Sequence, residues 1–503
     1  MTAPYHTGQR LEGARPDDAR GALVVLIVLG LLLEAALIAG WLVPLSLWCT
    51  PTNLPAGVQM VVILGNDRAG ALRFLLPSLA LVGVWGVSLA IARWCRSTAA
   101  LVISVVFSAI FLVTLLPMNP ASTQDIYHNV SDGRLFWLHG VNPTLIPPLA
   151  FPQDVFLDHV WGYADLPSAY GPLWYIATGI PIALVGDDLI PNLVAQKSLV
   201  AAFFLGTVLL VAMAARTIAP DRAVFAVVLV GWCPLLVWES AGNGHNDSLM
   251  AFFLAGAFVA AAKRAYLWVL PALALSVLVK YTTALVVPVA LVWLLRRPDV
   301  RMKDIAGGSL IAILLAVLAF APMYEGADTV AALRRPGMTF ILSPGTLAHG
   351  VLVRWMADAP ATRLVQVATG VLFVAGYGVT LVRSRGGTRD LADRSFDALF
   401  LYLLLVSWWY WPWYLTWLAP AAAISSGFRR PIAFAVMAAG SLLTYLYWWP
   451  DPLWRSSMWY GAYVGITLGV FVVPAVIWLW PSAWRRRRSE ALKMSRPVAA
   501  SSD

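Results

Sequence analysis

The amino-acid sequence predicts an all-α protein, a polytopic transmembrane helical bundle of about 14 spans. Hydrophobic residues make up 60% of its 503 residues and charged residues only 12%, a balance too apolar for a soluble protein of this length. Apolar stretches close to the ~20 residues that cross a bilayer recur along most of the chain. The basic residues are concentrated in the short connections between these stretches, as is typical of membrane proteins.

The first apolar stretch, 22–43, follows a tail that carries Arg10, Arg15 and Arg20. It is too long for the core of a signal peptide, so we expect a retained span and a cytoplasmic tail over residues 1–20. The sequence predicts the other spans at 72–94, 98–117, 195–215, 221–240, 248–262, 266–279, 283–295, 305–323, 364–382, 396–410, 413–427, 431–449 and 459–481.

The distribution of basic residues predicts the orientation of these spans. A formal net charge of +9 would also suit a nucleic-acid binder, but Lys and Arg clustered between apolar segments indicate cytoplasmic connections, so no nucleic-acid partner is expected. Alternating crossings from a cytoplasmic N-terminus send every basic cluster to that same side. The clusters are Arg93/Arg96, Lys263/Arg264, Arg296/Arg297/Arg301/Lys303, Arg383/Arg385/Arg389, Arg429/Arg430 and Arg485–Arg488.

We therefore expect one transmembrane domain, 21–484, with an outer catalytic loop over 118–190 and a basic cytoplasmic tail over 485–503. Within the loop, 171–186 is apolar but short and contains two prolines. This favours a re-entrant or surface-lying helix, so the loop is predicted to consist of short interfacial helices. The predicted short spans on either side of Lys280 imply a site sunk below the outer surface, where irregular backbone lines a cavity.

The first cluster of candidate site residues lies in this loop. Asp125, Tyr127, His128, Asp132 and Arg134 fall within ten positions, and ionisable residues at a membrane edge mark functional sites by default. Asp125 is the candidate general base, because a sheltered carboxylate can take a proton from a sugar hydroxyl. The alternative is a set of solvated loop charges or a helix cap.

A second cluster, His245, Asn246 and Asp247, lies between two predicted spans and follows Gly242 and Gly244. Such residues can hydrogen-bond sugar hydroxyls or hold a divalent cation, while glycine permits close approach of the backbone. An ordinary turn with a capping Asp is the alternative. The three cysteines, Cys49, Cys95 and Cys233, have no spacing typical of a disulfide framework or zinc site. No cofactor is predicted to be required, although a divalent cation is possible.

Three basic residues are candidates for binding a phosphate. Lys280 lies between apolar stretches on the predicted outer side, and His349 and Arg354 follow a turn at 343–346. Together they suit a leaving phosphate. The alternatives are a snorkelling anchor for Lys280 and a structural role for His349. In the aromatic run 408–414, Trp411, Trp413 and Tyr414 are predicted to stack on sugar rings or flank a lipid tail, whereas interfacial anchoring explains most such runs.

Four segments lie in a characteristic order from Gln124 onward. They are Gln124-Asp125-Ile126-Tyr127 with Gly133 and Gly140-Val141-Asn142-Pro143, then Tyr170-Gly171-Pro172-Leu173, then Gly244-His245-Asn246-Asp247-Ser248-Leu249-Met250, and finally Pro412-Trp413-Tyr414-Leu415 with Trp417 and Pro420. In this order they resemble the actinobacterial α-1,6-mannosyltransferases that use polyprenyl-phosphate mannose, which are members of the integral-membrane glycosyltransferase C superfamily. Val279-Lys280 and Leu342-Ser343-Pro344-Gly345 agree with the same resemblance.

The resemblance implies a glycosyltransferase C-like fold and an inverting transfer of mannose to an α-mannan or lipoglycan acceptor at the outer face of the plasma membrane. It implies that Asp125 is the base and that Tyr170, His245, Asn246 and Asp247 contact substrate. The expected partners are a polyprenyl-phosphate sugar, a glycan or glycolipid acceptor and membrane lipids. The alternatives are a secondary transporter or a flippase for lipid-linked sugars, or a sister arabinofuranosyl- or glucosyltransferase.

Overall fold

The computed structural model of the chain describes residues 16–48, 56–160, 162–329, 340–449 and 457–480. Over these residues the protein is all-helical and forms no β-strand, as the sequence predicts. Most of the predicted N-terminal tail and the whole C-terminal tail, with the cluster Arg485–Arg488, lie outside the described residues, as does Cys49.

Ten helices lead from the N-terminus to the second cluster of candidate site residues. They are α1 (Pro16–Leu37), α2 (Ala56–Leu64), α3 (Arg68–Ala92), α4 (Thr98–Leu115), α5 (Asp125–Trp137), α6 (Pro172–Val185), α7 (Leu189–Ile218), α8 (Ala223–Gly231), α9 (Pro234–Val237) and α10 (Asp247–Ala262). Two of the long helices have N-cap side chains. The Asp67 carboxylate accepts a hydrogen bond from the Gly70 N–H at the start of α3, and the Ser97 hydroxyl accepts one from the Ala100 N–H at the start of α4.

Nine further helices complete the described chain. They are α11 (Val269–Val279), α12 (Val286–Leu295), α13 (Met302–Phe320), α14 (Pro344–Leu352), α15 (Asp358–Val382), α16 (Asp390–Leu405), α17 (Ala419–Ile424), α18 (Arg429–Leu443) and α19 (Ser457–Leu479).

Six described helical segments are long and apolar enough to cross a membrane, namely Arg20–Leu42, Arg68–Ala92, Thr98–Leu115, Leu189–Ile218, Met302–Met323 and Asp358–Val382. A bent pair, Pro220–Gly231 and Pro234–Gly242, raises the number to seven if it forms one span with a 52° bend. Most other predicted spans fall on shorter apolar helices. The total of about 14 crossings therefore stays a prediction.

The chain leaves regular α-helix around the aromatic run. Of the predicted span 396–410, only the part up to Leu405 is α-helical, because α16 ends there. The predicted span 413–427 contains only the six α-helical residues of α17. Between them, Pro412–Trp417 forms a 3₁₀ turn with Pro412 in its first turn. Proline has no N–H to donate, and in the first turn of a helical segment that N–H has no intrahelical acceptor. Along the run, Tyr410 and Trp413 are buried, and Trp408, Trp409, Trp411 and Tyr414 are partly buried.

Helix α8 lies at the centre of the core. All nine of its residues are buried, and it packs against α3, α4, α7 and α17. The indole N–H of Trp85 donates to the Val228 carbonyl at 3.0 Å, and that of Trp232 donates to Ser104 at 2.9 Å. These bonds satisfy donors that would otherwise be buried without a partner. The candidate site residues lie at one end of this packed bundle, around the start of α5 and α10.

Candidate active site

A cavity of about 850 Å³ opens where the start of α5, the loop before α6, the turn after α11 and the aromatic run meet. This is large enough for a sugar-sized ligand. Among the predicted site residues, those that line it are Asp125, His128, Tyr170, Lys280, Trp411, Trp413 and Tyr414. They come from four separate stretches of sequence, so the fold brings them together.

Two glycines allow this convergence. Gly244 has φ +75°, and a Cβ there would lie 2.6 Å from Ile126, so only glycine lets the second cluster approach the start of α5 so closely. At Gly171, an added Cβ would overlap the Leu278 carbonyl, and the Gly171 N–H donates to the Val279 carbonyl at 2.9 Å. The first contact places His245 beside Asp125, and the second places Tyr170 beside Lys280.

Asp125 is the first residue of α5, and its side chain is 24% exposed at the cavity wall. Its backbone N–H donates to the Thr123 hydroxyl at 3.1 Å. On the protein side, Oδ2 of Asp125 lies 3.7 Å from Nδ1 of His245. The carboxylate is therefore open to a ligand on one side and supported by an imidazole on the other.

His245 lies between two acids. Its Nε2 lies 3.3 Å from Oε2 of Glu239, and its ring stacks on Trp413 with centroids 4.0 Å apart and planes at 16°. Trp411 continues the stack on Trp413 at 5.1 Å. The imidazole is thus held flat by an aromatic face while each nitrogen points towards a carboxylate.

Lys280 forms the cationic part of the cavity. Its ammonium group donates to Oδ1 of Asp247 at 2.9 Å, and the indole N–H of Trp417 donates to the same oxygen. The ammonium also lies over the rings of Tyr170, Tyr414 and Trp417 at 5.1–5.4 Å, within reach of cation–π attraction. This arrangement fixes a positive charge at the cavity wall.

His128 adds a second positive charge. Its Nδ1 lies 3.1 Å from Oδ2 of buried Asp132, and its Nε2 lies 3.3 Å from the carbonyls of both Tyr163 and Leu166. Burial alone would lower the pKa of His128, but the attraction and hydrogen bond of Asp132, with a contribution from Asp125, raise it to about 9. The imidazole is therefore protonated at neutral pH.

The remaining predicted site residues lie behind the cavity wall or away from it. Tyr127 and Asp132 are buried, and Tyr127 packs towards His159 with ring centroids 6.1 Å apart. Asn246 and Asp247 are buried at the start of α10, and neither amide atom of Asn246 has a hydrogen-bond partner within the described residues.

Arg134 faces away from the cavity. Its Nε binds both carboxylate oxygens of Asp154, at 2.9 and 3.0 Å, and its NH1 binds Asp187 at 2.7 Å. Burial alone would raise the pKa of Asp154, but hydrogen bonds from His139, the Phe156 N–H and Arg134 together lower it. Arg134 therefore belongs to an ion-pair cluster that connects α5 to the loop before α6 and to the turn after α6.

His349 and Arg354 do not line the cavity. His349 lies 3.1 Å from both the Thr362 hydroxyl and the Asp358 carboxylate and stacks on Phe340, while Arg354 is exposed at the end of α14. The sequence interpretation that grouped them with Lys280 around one phosphate is not supported by their positions.

Sequence reasoning missed Glu239, Lys197 and Tyr163. Glu239 is 1% exposed and lies within a predicted span, and Lys197 is buried with its ammonium group on the carbonyls of Leu115 and Met118. An ionisable residue inside an apolar segment is itself a signal of function or of a specific partner. That signal was present in the sequence for both residues. No group of three or more His, Cys, Asp or Glu side chains suited to a metal occurs among the described residues.

A family model described as alpha-(1->6)-mannopyranosyltransferase, N-terminal domain, matches residues 25–297, more than half of the chain. The matched part includes Asp125, Glu239, His245 and Lys280 and ends before the aromatic run. A comparison with curated proteins found no match.

Proposed function

The chain belongs to the alpha-(1->6)-mannopyranosyltransferase family, and from that premise we propose that it transfers mannose from polyprenyl-phosphate mannose to an α-mannan or lipoglycan acceptor. The observation that carries the proposal is the cavity of about 850 Å³ that both Asp125 and Lys280 line. A base and a fixed cation are the two groups that transfer from a phosphate-linked sugar requires.

Asp125 acts as the general base. As an acceptor hydroxyl oxygen forms its bond to the anomeric carbon, its proton passes to the Asp125 carboxylate, and the bond from that carbon to the phosphate oxygen breaks with its electron pair leaving on the phosphate. Attack in line with the departing phosphate inverts the anomeric centre, so a β-linked mannosyl phosphate yields an α-linked product. The partial exposure of Asp125 supports this role, since a base needs access to the acceptor.

Lys280 stabilises the departing phosphate. Its charge is held by Asp247 and by aromatic rings before substrate binds, and preorganised charge acts where negative charge develops in the transition state. The protonated His128 adds positive potential in the same cavity. His349 and Arg354, which lie elsewhere, have no part in this step.

The aromatic wall binds sugar and lipid. Trp411 and Trp413 stack with their planes at 5°, and a flat indole surface suits the apolar face of a sugar ring. The donor's polyprenyl chain remains in the membrane, and the site faces the outside of the plasma membrane, the side opposite the basic connections such as Lys263/Arg264. The proposed reaction requires no cofactor, and whether a divalent cation contributes is decided by the metal-removal experiment below.

The test is sugar transfer by the purified full chain in nanodiscs, with radiolabelled polyprenyl-phosphate mannose and a short α-mannoside acceptor. Asp125→Asn should reduce turnover by about 10²- to 10⁴-fold, the usual contribution of a general base, with unchanged folding. Asp158→Asn, which alters an exposed loop acid outside the cavity, is the matched control and should keep wild-type activity. Wild-type turnover by Asp125→Asn would exclude this residue as the base.

Three further experiments separate the alternatives. Arabinose and glucose donors carried on the same lipid should be poor substrates, and transfer from one of them alone would identify a sister enzyme. Transfer should persist in EDTA, whereas a loss of activity restored by Mg²⁺ or Mn²⁺ would contradict a metal-independent reaction. A transporter would move substrate across proteoliposomes without forming a new glycosidic bond.

A further inference from the structure

Glu239 is a buried acid behind the cavity wall. It belongs to the π-helical turn Trp238–Gly242, at the end of the bent pair of apolar helices, and it does not line the cavity. A carboxylate in such surroundings is costly unless it is paired. Its place in the fold therefore requires an explanation beyond packing.

The partners of Glu239 are hydrogen-bond donors. The Tyr445 hydroxyl donates to Oε1, and the Asn243 amide donates to Oε2 at 3.0 Å. The third neighbour of Glu239 is Nε2 of His245, which lies 3.3 Å from Oε2.

The position of Glu239 determines which edge of the His245 ring faces the base. A hydrogen on Nε2 can be donated to the Glu239 carboxylate, and this bond would leave Nδ1 facing Asp125. The bond is not fully formed, since Nε2 makes no hydrogen bond within the described part of the chain. Catalytic hydrogen bonds are often long or misaligned without substrate and tighten in the complex.

We propose that Glu239 is a positioning residue that acts on Asp125 through His245. Glu239 sets the edge of the imidazole that turns towards the base, while Trp413 fixes its plane. With a hydrogen on each nitrogen the ring attracts both carboxylates, and its Nδ1 side, 3.7 Å from Oδ2 of Asp125, holds that carboxylate so that it faces the cavity. The order acid, imidazole, acid resembles a catalytic triad, in which a carboxylate orients a histidine. In this chain the carboxylate at the cavity end of the series, Asp125, is itself the base.

This inference rests on the proposed function, and the same nanodisc assay tests it. Glu239→Gln keeps the size of the side chain and removes its charge. We expect kcat to fall about 10- to 100-fold, the effect of a small misplacement of a reacting group, while KM for donor and acceptor stays within about twofold of wild type because substrate does not contact Glu239. Glu34→Gln is the matched control, since Glu34 is an acid in α1 that binds Thr114 and not His245, and it should leave kcat unchanged.

A double-mutant cycle distinguishes positioning from general stability. If Glu239 acts only through His245, then Glu239→Gln added to His245→Gln should cost no further activity, because residues acting as a unit are non-additive. A merely structural role would give additive losses that follow a lowered melting temperature. Should Glu239→Gln fail to fold, Tyr445→Phe, which removes one donor to Glu239, should give a smaller loss of kcat in the same direction.

The outcomes separate the two proposals. Mannose transfer by wild type with wild-type kcat in Glu239→Gln overturns the positioning role and leaves the proposed function standing. Additive losses in the double variant overturn it as well. No transfer by wild type from any of the three lipid-linked sugars overturns the proposed function and, with it, the role of Glu239.

Discussion

Lys280 lies between one carboxylate and three aromatic rings, an environment that determines what its removal would do. Its ion pair with Asp247 is largely buried, with the Asp247 side chain 1% exposed, so loss of the lysine leaves an unpaired buried acid. The cation also supplies most of the fixed positive charge that we assign to the leaving phosphate. Stability and chemistry are coupled at this residue.

We therefore predict two separable effects of Lys280→Met. Transfer should fall by about 10- to 100-fold, since hydrogen bonds to charged groups contribute roughly 1.5–3 kcal/mol, and the melting temperature should fall because Asp247 loses its cationic partner and keeps only the Trp417 indole N–H. Adding Asp247→Asn should restore the melting temperature without restoring transfer. Lys263→Met, at an exposed basic connection, is the control. Normal transfer by Lys280→Met would rule out its role with the phosphate.

At the scale of elements, His128 joins α5 to the loop before α6. Its ring contacts the Asp132 carboxylate on one side and the Tyr163 and Leu166 carbonyls on the other. Tyr163 and Leu166 also line the cavity. The shape of that wall depends on one protonated imidazole, because a neutral ring cannot donate from both nitrogens.

This contact predicts how stability depends on pH. The pKa of His128 is raised from 6.5 to about 9 in the folded protein, so its contribution to stability is complete below about pH 6.5 and is lost as the pH rises through about 9. The difference in melting temperature between wild type and His128→Gln should therefore be largest near pH 6 and should decrease towards pH 10. A difference that stays constant over this range would contradict the raised pKa.

Particular elements mark the limit of what the sequence could predict about the fold. Hydrophobic segments predicted helices because their signal is local and strong. At the aromatic run, the predicted spans 396–410 and 413–427 put the break at 411–412, whereas α16 already ends at Leu405, because apolar composition does not reveal where a helix ends. Crossing number depends on where helices bend and end, and a short apolar helix is compatible with either a span or a re-entrant segment.

The candidate site shows the same limit at finer scale. Asp125, His128, Lys280 and the aromatic residues could be named from residue type and neighbourhood, and Tyr170 from the family resemblance. Arg134 looked equivalent to them, but only three-dimensional distances reveal that Asp154 and Asp187 engage it. Glu239 stands out in the sequence as an acid inside an apolar segment, but its partner Tyr445 is 206 positions away, so only the structure shows what it contacts.

For the whole molecule, the proposed orientation predicts opposite accessibility of two exposed positions. In a chain whose three cysteines are replaced by alanine, Asp158→Cys in the outer loop should react with an impermeant maleimide in intact cells. Lys263→Cys, at a basic connection, should react only after the membrane is opened, as the positive-inside rule requires. Reversed labelling would place the cavity on the cytoplasmic side and contradict the proposed location of transfer.

The residues in and behind the cavity wall come from two parts of the chain, one inside and one outside the region that the family model matches. Asp125, His245, Glu239 and Lys280 lie within the matched residues 25–297, whereas Trp411, the tryptophan stacked on His245 and the tyrosine bound to Glu239 come from beyond them. The residues that we propose to move the proton and hold the phosphate thus lie within the family match, and those that we propose to meet the sugar lie beyond it. On this proposal, family members that act on other glycans should differ from this chain mainly in the second part.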